Sequence, residues 1–152
     1  MFNREAEAVK ISTKGIYGVR AIFDLALHYG GDPVQRSELS GRQSIPEAYL
    51  VQVLSALVRE GYVRGIRGPH GGYSLVKPPS EITVGEILEL LEGPMDPVPC
   101  PGPEGCSSFA DCVIRDVWED VKEAIRGVLF SVTFGEMCER YRSRKAPADY
   151  VI

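Results

Sequence analysis

The sequence predicts a mainly α-helical fold that carries one small β-hairpin and ends in a long helix suited to dimerisation. Three observations predict it. Apolar residues recur at i, i+3 and i+4 over most of the chain, the period of helices buried on one side. One glycine-rich stretch, Gly68-Pro69-His70-Gly71-Gly72, separates two short runs that alternate like strands. A last apolar stripe, from Val113 to Leu129, is longer than so small a domain can cover by itself.

Met1–Ala8 is a polar lead-in and Val9–Ser12 a short extended piece. Ser12 or Thr13 caps a helix running to about Tyr29, with Ile16, Val19, Ala21, Ile22, Phe23, Leu25, Ala26 and Leu27 on its buried face. Gly30-Gly31-Asp32-Pro33 ends it. Val34–Gln35 is a brief extended piece, Arg36–Arg42 a short helix and Gln43–Ile45 a turn. Pro46 suits the first turn of the next helix, where a missing N–H is no loss. That helix carries Tyr49, Leu50, Val53, Leu54, Leu57 and Val58 at helical spacing and stops at Gly61. Tyr62–Arg67 and Tyr73–Val76 make the hairpin, and Lys77-Pro78-Pro79 is a rigid exit. Thr83 caps a helix over about Val84–Glu92. Gly93–Phe109 is a loop, a long helix runs from about Asp111 to Ser131, and Thr133–Arg144 is the last helix. The order helix, short helix, turn, longer helix, hairpin is that of a winged helix-turn-helix. The expected organisation is a winged helix-turn-helix over 9–79, a loop with dimerisation helices over 80–145, and a flexible tail over 146–152.

Hydrophobic residues make up 44% of the 152 and charged residues 25%, the balance of a soluble globular chain. The net charge of −4 argues against a generic polyanion binder, but the charge is uneven. Residues 1–79 hold ten Lys and Arg against seven Asp and Glu; residues 80–152 hold seven against fourteen. Nucleic acid is expected on the basic half. There is no apolar run of about 18 residues, so no membrane span is expected. The polar start MFNREAEAVK does not read as a secretory signal. The expected location is the cytoplasm, where thiols stay reduced, and four cysteines there read as metal or redox groups rather than disulfides. The two histidines, His28 and His70, fall on a helix end and a hairpin tip. No Ser/His/Asp or Cys/His set can be drawn, so neither an enzyme nor a small-molecule substrate is expected.

In a winged helix-turn-helix the helix after the turn enters the major groove. Its first turn offers Glu47 and Ala48, and Gln52 follows one turn on, able to pair with the adenine N6/N7 edge. Arg42, Gln43 and Ser44 in the turn are candidates for phosphate or base. Arg59 and Arg64 are candidates for phosphates and Arg67 for a minor groove. His70 sits among glycines that let the backbone approach DNA closely.

Cys100, Cys106 and Cys112 stand six residues apart in PVPCPGPEGCSSFADC. Thiolates are the usual ligands of iron–sulfur clusters and of structural zinc, and Pro and Gly let a loop wrap one centre. From these residues three readings stay open: a cluster, zinc with a further ligand, or thiols that sense oxidation. Asp111, Asp116 and Glu104 are the local candidates for a fourth ligand. Cys138, in the last helix, reads as a core residue. Trp118 is expected under the loop or in a dimer interface.

VKISTKGIYGVRAIFDLAL, IPEAYLVQVLSALVREGYVRGIRGPHGGYSL and EITVGEILELLEG, in that order, resemble the bacterial iron–sulfur winged-helix regulators typified by the IscR and NsrR repressors. The likeness covers roughly Val9 to Met137. GIRGPHGGYSL looks like the family's RGPGGGY wing, with His70 where the family often has Gly. The resemblance implies a homodimer joined through the long C-terminal helix, a partly palindromic DNA operator, and a cluster on Cys100, Cys106 and Cys112. Two departures stand out. The IscR-like branch completes its site with a histidine three residues after the last cysteine, where this chain has Arg115. The NsrR-like branch uses an acidic residue near the start of the first helix, given by the other subunit, where this chain has about Ile16. The fourth ligand is therefore open. In the reading helix, Pro46, Ala48 and Val51 replace residues that are often Ser and Glu in the IscR-like branch, while Gln52 is kept.

The expected function is a DNA-binding transcription regulator, of repressor type, whose DNA affinity is set by an iron–sulfur cluster answering to iron–sulfur status, oxygen, redox state or nitric oxide. A 2Fe-2S cluster follows from the closer overall likeness to IscR; 4Fe-4S is the alternative because the histidine is absent. The competing expectation is a regulator of the same fold that holds zinc, or no metal, and senses thiol oxidation.

Overall fold

The structure is a computed structural model that describes residues 11–97, 100 and 102–147. The expectations for Met1–Ala8 and for Val9, and most of the 146–152 tail, lie outside these residues. The elements are helices α1 (Thr13–Leu27), α2 (Arg36–Gln43) and α3 (Glu47–Arg59), strands β1 (Val63–Ile66) and β2 (Gly72–Leu75), a 3-10 turn at Pro79–Glu81, and helices α4 (Val84–Glu92), α5 (Gly102–Gly105), α6 (Val113–Ser131) and α7 (Phe134–Lys145). The chain is mainly helical with one two-stranded antiparallel hairpin, the winged helix-turn-helix read from the sequence.

Helix α1 is the centre, packed against α3, α4 and α7. Its start is doubly held. The Ser12 Oγ accepts from the Gly15 N–H, and the Glu92 carboxylate accepts from the Ser12 N–H at 3.0 Å and the Gly15 N–H at 3.0 Å. A carboxylate at a helix N-terminus satisfies orphan donors and suits the helix dipole. Glu92 is also the last residue of α4, so the end of α4 is tied to the start of α1.

Leu39, Ile45, Leu50, Val53, Leu54 and Leu57 close the core beneath α2 and α3. The chain turns between these helices at Ser44, left-handed at φ 54°. The hairpin pairs Val63 with Leu75 and Arg64 with Ser74, and Val34 adds a bridge to Tyr73 through bonds of 2.9 and 2.8 Å. Gly72 is needed at that bridge: its φ is +155°, and a Cβ there would lie 2.4 Å from the Val34 carbonyl oxygen.

Helices α4 and α7 each begin with a capping box, Thr83 with Glu86 and Thr133 with Glu136. A bridge between Thr83 and Thr133 sets the two starts side by side. Helix α6 lies on α4, the Phe130 ring pressed onto Gly85 so closely that a Cβ there would sit 2.4 Å from the ring. None of the 19 residues of α6 is buried; Val113 is 74% exposed and Val128 64%.

Local differences from the sequence reading have physical reasons. Gln43 is the last residue of α2 rather than part of the turn. Pro46 precedes α3 as its cap, its carbonyl accepting from the Leu50 N–H at 2.9 Å. The long helix begins at Val113 because Cys112 is extended, φ −81° and ψ 96°. The cysteine loop contains the single turn α5. Trp118 stands exposed on α6 and is not packed under the loop.

Candidate functional site

The exposed face of α3 presents Glu47, Ala48, Val51, Gln52, Ser55 and Arg59, while Leu50, Val53, Leu54 and Leu57 point into the core. This is the split that a 3.6-residue period produces on a surface helix. Glu47 accepts from the Arg36 Nε at 3.3 Å, which ties α3 to α2. Arg59 pairs with Glu60 at 3.2 Å. Arg64 is exposed on β1, its Nε donating across the hairpin to the Ser74 Oγ at 3.2 Å. Arg67 and His70 are exposed on the hairpin turn. His70 also faces His28 and Arg42 across a cleft of about 500 Å³ between the wing and the α1–α2 connection.

Arg42 is exposed and Gln43 half-buried, and both have a partner within the chain that the sequence reading did not foresee. Their side chains turn inward to Asp24, which is 1% exposed and the one buried charged residue among those described. Arg42 forks onto it, Nε to Oδ2 at 3.1 Å and NH2 to Oδ1 at 2.8 Å. The Gln43 Nε2 donates to Oδ2 at 2.9 Å. The hydrogen bond to Asp24 holds the Arg42 guanidinium pKa above its ordinary high value. His28, the C-terminal cap of α1, brings its Nδ1 to 2.8 Å from the Asp24 carbonyl oxygen and 3.5 Å from Oδ1. Ser44 remains exposed. Asp24 is the residue that sequence reasoning missed. The signal was available: an acid set among apolar residues in AIFDLAL, four residues before a histidine.

The cysteine loop lies between α4 and α6. Cys100 is exposed, Cys106 and Cys112 are half-buried, and all four cysteines are free thiols. Arg115 braces the loop: its guanidinium stacks 4.4 Å from the Phe109 ring, and its NH1 donates to the Phe109 carbonyl at 2.8 Å. Cys106 and Cys112 join the same brace through backbone bonds from Phe109 and Arg115, each 3.2 Å. Asp111, Asp116 and Glu104 are exposed along the loop and the first turn of α6. Among the described residues no three His, Cys, Asp or Glu side chains are drawn into one metal-binding group. The structure thus puts the candidate ligands on one segment without gathering them.

Cys138 is apart from the rest, 2% exposed in the core, and burial pushes its thiol pKa up. It belongs to the core, as its sequence context implied. Alkylation of the native protein is expected to modify Cys100, Cys106 and Cys112 readily, and Cys138 only after denaturation. Mass analysis of the labelled peptides checks this; fast labelling of Cys138 would contradict it.

No helix among the described residues is long and apolar enough to cross a membrane. Comparison with known proteins adds the family. The model of the Rrf2 family, described as iron-dependent transcriptional regulators, matches residues 11–140. The HTH-type transcriptional regulator IscR of Serratia proteamaculans is 39% identical over 129 residues, 85% of this chain and 79% of that one. The solved structure of T. potens IscR aligns with a TM-score of 0.78 at 38% identity, covering 93% of this chain and 94% of that one. CymR of B. subtilis, titled a global cysteine regulator, aligns with a TM-score of 0.77 at 35% identity, covering 86% and 97%. These relatives are regulators and not enzymes. The chain thus belongs to the Rrf2 family and is a DNA-binding transcriptional regulator similar to IscR.

Proposed function

We propose that the chain acts as a homodimer of repressor type whose hold on an operator is set by an iron–sulfur cluster on Cys100, Cys106 and Cys112. One observation carries this reading: three free thiols, none of them buried, share the loop that joins α4 to α6. The donor set fits such a group by its chemistry, since soft thiolates bind iron and sulfide and carboxylates stand beside them. The family's iron-dependent description and the IscR relatives support the same reading. When bound, the cluster would supply a redox couple and iron sites open to oxygen or nitric oxide.

The chain's own residues do the rest. Arg115 and Ile16 have no lone pair to offer, so the fourth ligand is open: Asp111, Asp116 and Glu104 are the local candidates, and a small thiol, water or a residue of the partner subunit are the others. A 2Fe-2S cluster is favoured by the likeness to IscR, with 4Fe-4S the alternative. Residues 80–145 form the loop and dimerisation unit, and residues 9–79 the reading unit. Glu92 links the two, since it ends α4 at the edge of the loop and holds the start of α1. Movement of the loop is thereby felt at the reading unit. On DNA, Glu47, Ala48 and Gln52 face base edges, Ser44, Arg59 and Arg64 meet phosphates, and Arg67 with His70 enters the neighbouring groove. A second reading, zinc or thiol oxidation without a cluster, uses the same three thiols, and their standing apart among the described residues favours its metal-free form.

Anaerobic purification with a UV–visible spectrum and iron, sulfide and zinc analysis separates these readings. Visible charge-transfer bands with matching iron and sulfide are expected. A protein that stays colourless after anaerobic reconstitution would contradict the cluster, and stoichiometric zinc would favour the second reading.

Two substitutions test the DNA face. Arg67→Ala is expected to weaken operator binding by about 1–3 kcal/mol and relax discrimination. An unchanged affinity and salt slope would leave Arg67 in solvent. Gln52→Ala is expected to alter sequence preference while leaving non-specific affinity in place. Selection of preferred sites from random DNA reads this directly, and an unaltered preference would remove Gln52 from base readout.

A further inference from the structure

Asp24 is a buried carboxylate to which the DNA-reading assignments give no task. It sits on α1 among fully buried apolar neighbours in sequence, Ile22 and Leu25, yet both its oxygens are matched. Its donors, Arg42 and Gln43, are the last two residues of α2. They stand directly before Ser44, the only non-glycine residue at positive φ among those described, where the chain turns into α3. The turn is pinned on its other sides as well. The Arg20 NH1 reaches the Gln43 carbonyl at 3.4 Å, and the Ser40 Oγ donates to the carbonyl of buried Ile45 at 2.7 Å.

We propose that Asp24 is a positioning residue for operator recognition. Its carboxylate, rather than DNA, is the partner of Arg42 and Gln43 in the DNA complex, and this clamp sets the angle at which α3 presents Glu47, Ala48 and Gln52 to base edges.

The energetics favour retention of the clamp on DNA. The Arg42 side chain is 40% exposed yet commits its Nε and NH2 to Asp24, and pulling both away would leave a buried carboxylate short of its charge partner, at a cost above what an exposed ion pair returns. Geometry supplies the consequence. Base-edge hydrogen bonds weaken steeply with small changes of distance and angle, whereas phosphate attraction acts over a Debye length. A small tilt of α3 therefore removes specific contacts while non-specific attraction survives.

The proposal rests on α3 being the recognition helix. Its test uses the full chain, the duplex that the wild-type protein enriches from a randomised library, and a scrambled duplex of equal length, over a range of salt. Asp24→Asn, Arg42→Gln and the double variant are compared. Each single change is expected to lower the specific-to-non-specific affinity ratio about tenfold, the scale of one misread base pair. The salt slope is expected to stay at the wild-type value, and the double variant to be no worse than the poorer single one. An Arg42→Gln variant that loses affinity for both duplexes, with a salt slope smaller by about one phosphate contact, would overturn the proposal. So would a ratio unmoved by Asp24→Asn. If Asp24→Asn loses its cooperative melting transition, Gln43→Ala decides, because it leaves the Asp24–Arg42 pair intact: a lowered ratio at unchanged slope supports the clamp, an unchanged ratio overturns it. A wild-type protein that enriches no duplex would remove the recognition-helix reading itself, a failure distinct from the others.

Discussion

Replacing Cys100, Cys106 and Cys112 together with Ser is expected to abolish iron and sulfide binding and to leave operator affinity at one fixed value, whatever the iron supply. A serine hydroxyl does not ionise near neutral pH and is a poor ligand for iron, so the donor set disappears. The fold should not notice. None of the three cysteines is buried, and surface changes of this kind cost within about 0.5 kcal/mol. Cys138→Ser provides the contrast, since its thiol is 2% exposed and a hydroxyl there must find a partner in the core. That change is expected to destabilise by about 1–3 kcal/mol while leaving iron and sulfide content unchanged. Elemental analysis with thermal unfolding checks both. Iron and sulfide retained in the triple variant would place the cluster elsewhere.

Introducing Asp at both Val117 and Val128 is expected to convert a dimer to a monomer and to weaken operator binding by at least about 100-fold. The reason lies in α6. It runs for 19 residues with none buried, yet Val113, Ile114, Val117, Trp118 and Val128 stand exposed along it. Ile125, Val128 and Leu129 line an apolar groove of about 400 Å³ with Ile11, Met95 and Ala124. Covering such a face returns about 1.5–3 kcal/mol for each large apolar side chain. A two-fold interface uses every residue twice, so each new carboxylate appears on both sides of it. Exposed in the single chain, the two valines contribute little to its own stability, and the variants should keep their helical content. Half-site binding then loses its partner, which is why operator affinity falls with the mass. Light scattering and DNA titration read the two effects; a wild-type monomer, or a variant that stays dimeric, would contradict them.

The elements easiest to read in the sequence are those fixed by local chemistry. Thr83 with Glu86 and Thr133 with Glu136 are capping boxes, and α4 and α7 begin directly after their threonines. The wing followed from glycines that the backbone requires, such as Gly72 against Val34. Helix α6 starts two residues later than about Asp111 because Cys112 is extended, in a stretch where Arg115 folds back onto Phe109, a loop contact that helical periodicity does not encode. The inward partner of Arg42 and Gln43 was not legible because it is not local. Polar residues in a helix-turn-helix turn look like DNA contacts, but their partner is Asp24, 18 and 19 positions upstream on another helix. Residue spacing also identified the three loop thiols. It could not say whether they stand together, because that depends on how a Pro- and Gly-rich loop settles, for which no periodicity exists.

The most direct test of cluster-controlled DNA binding is the operator affinity of one anaerobic sample, titrated first after iron–sulfide reconstitution and again after chelation of the iron. The two affinities are expected to differ by about fivefold or more, the usual scale of coupling between a cofactor site and a distant binding face. Equal affinities, with iron and sulfide shown to have been bound and then removed, would contradict it.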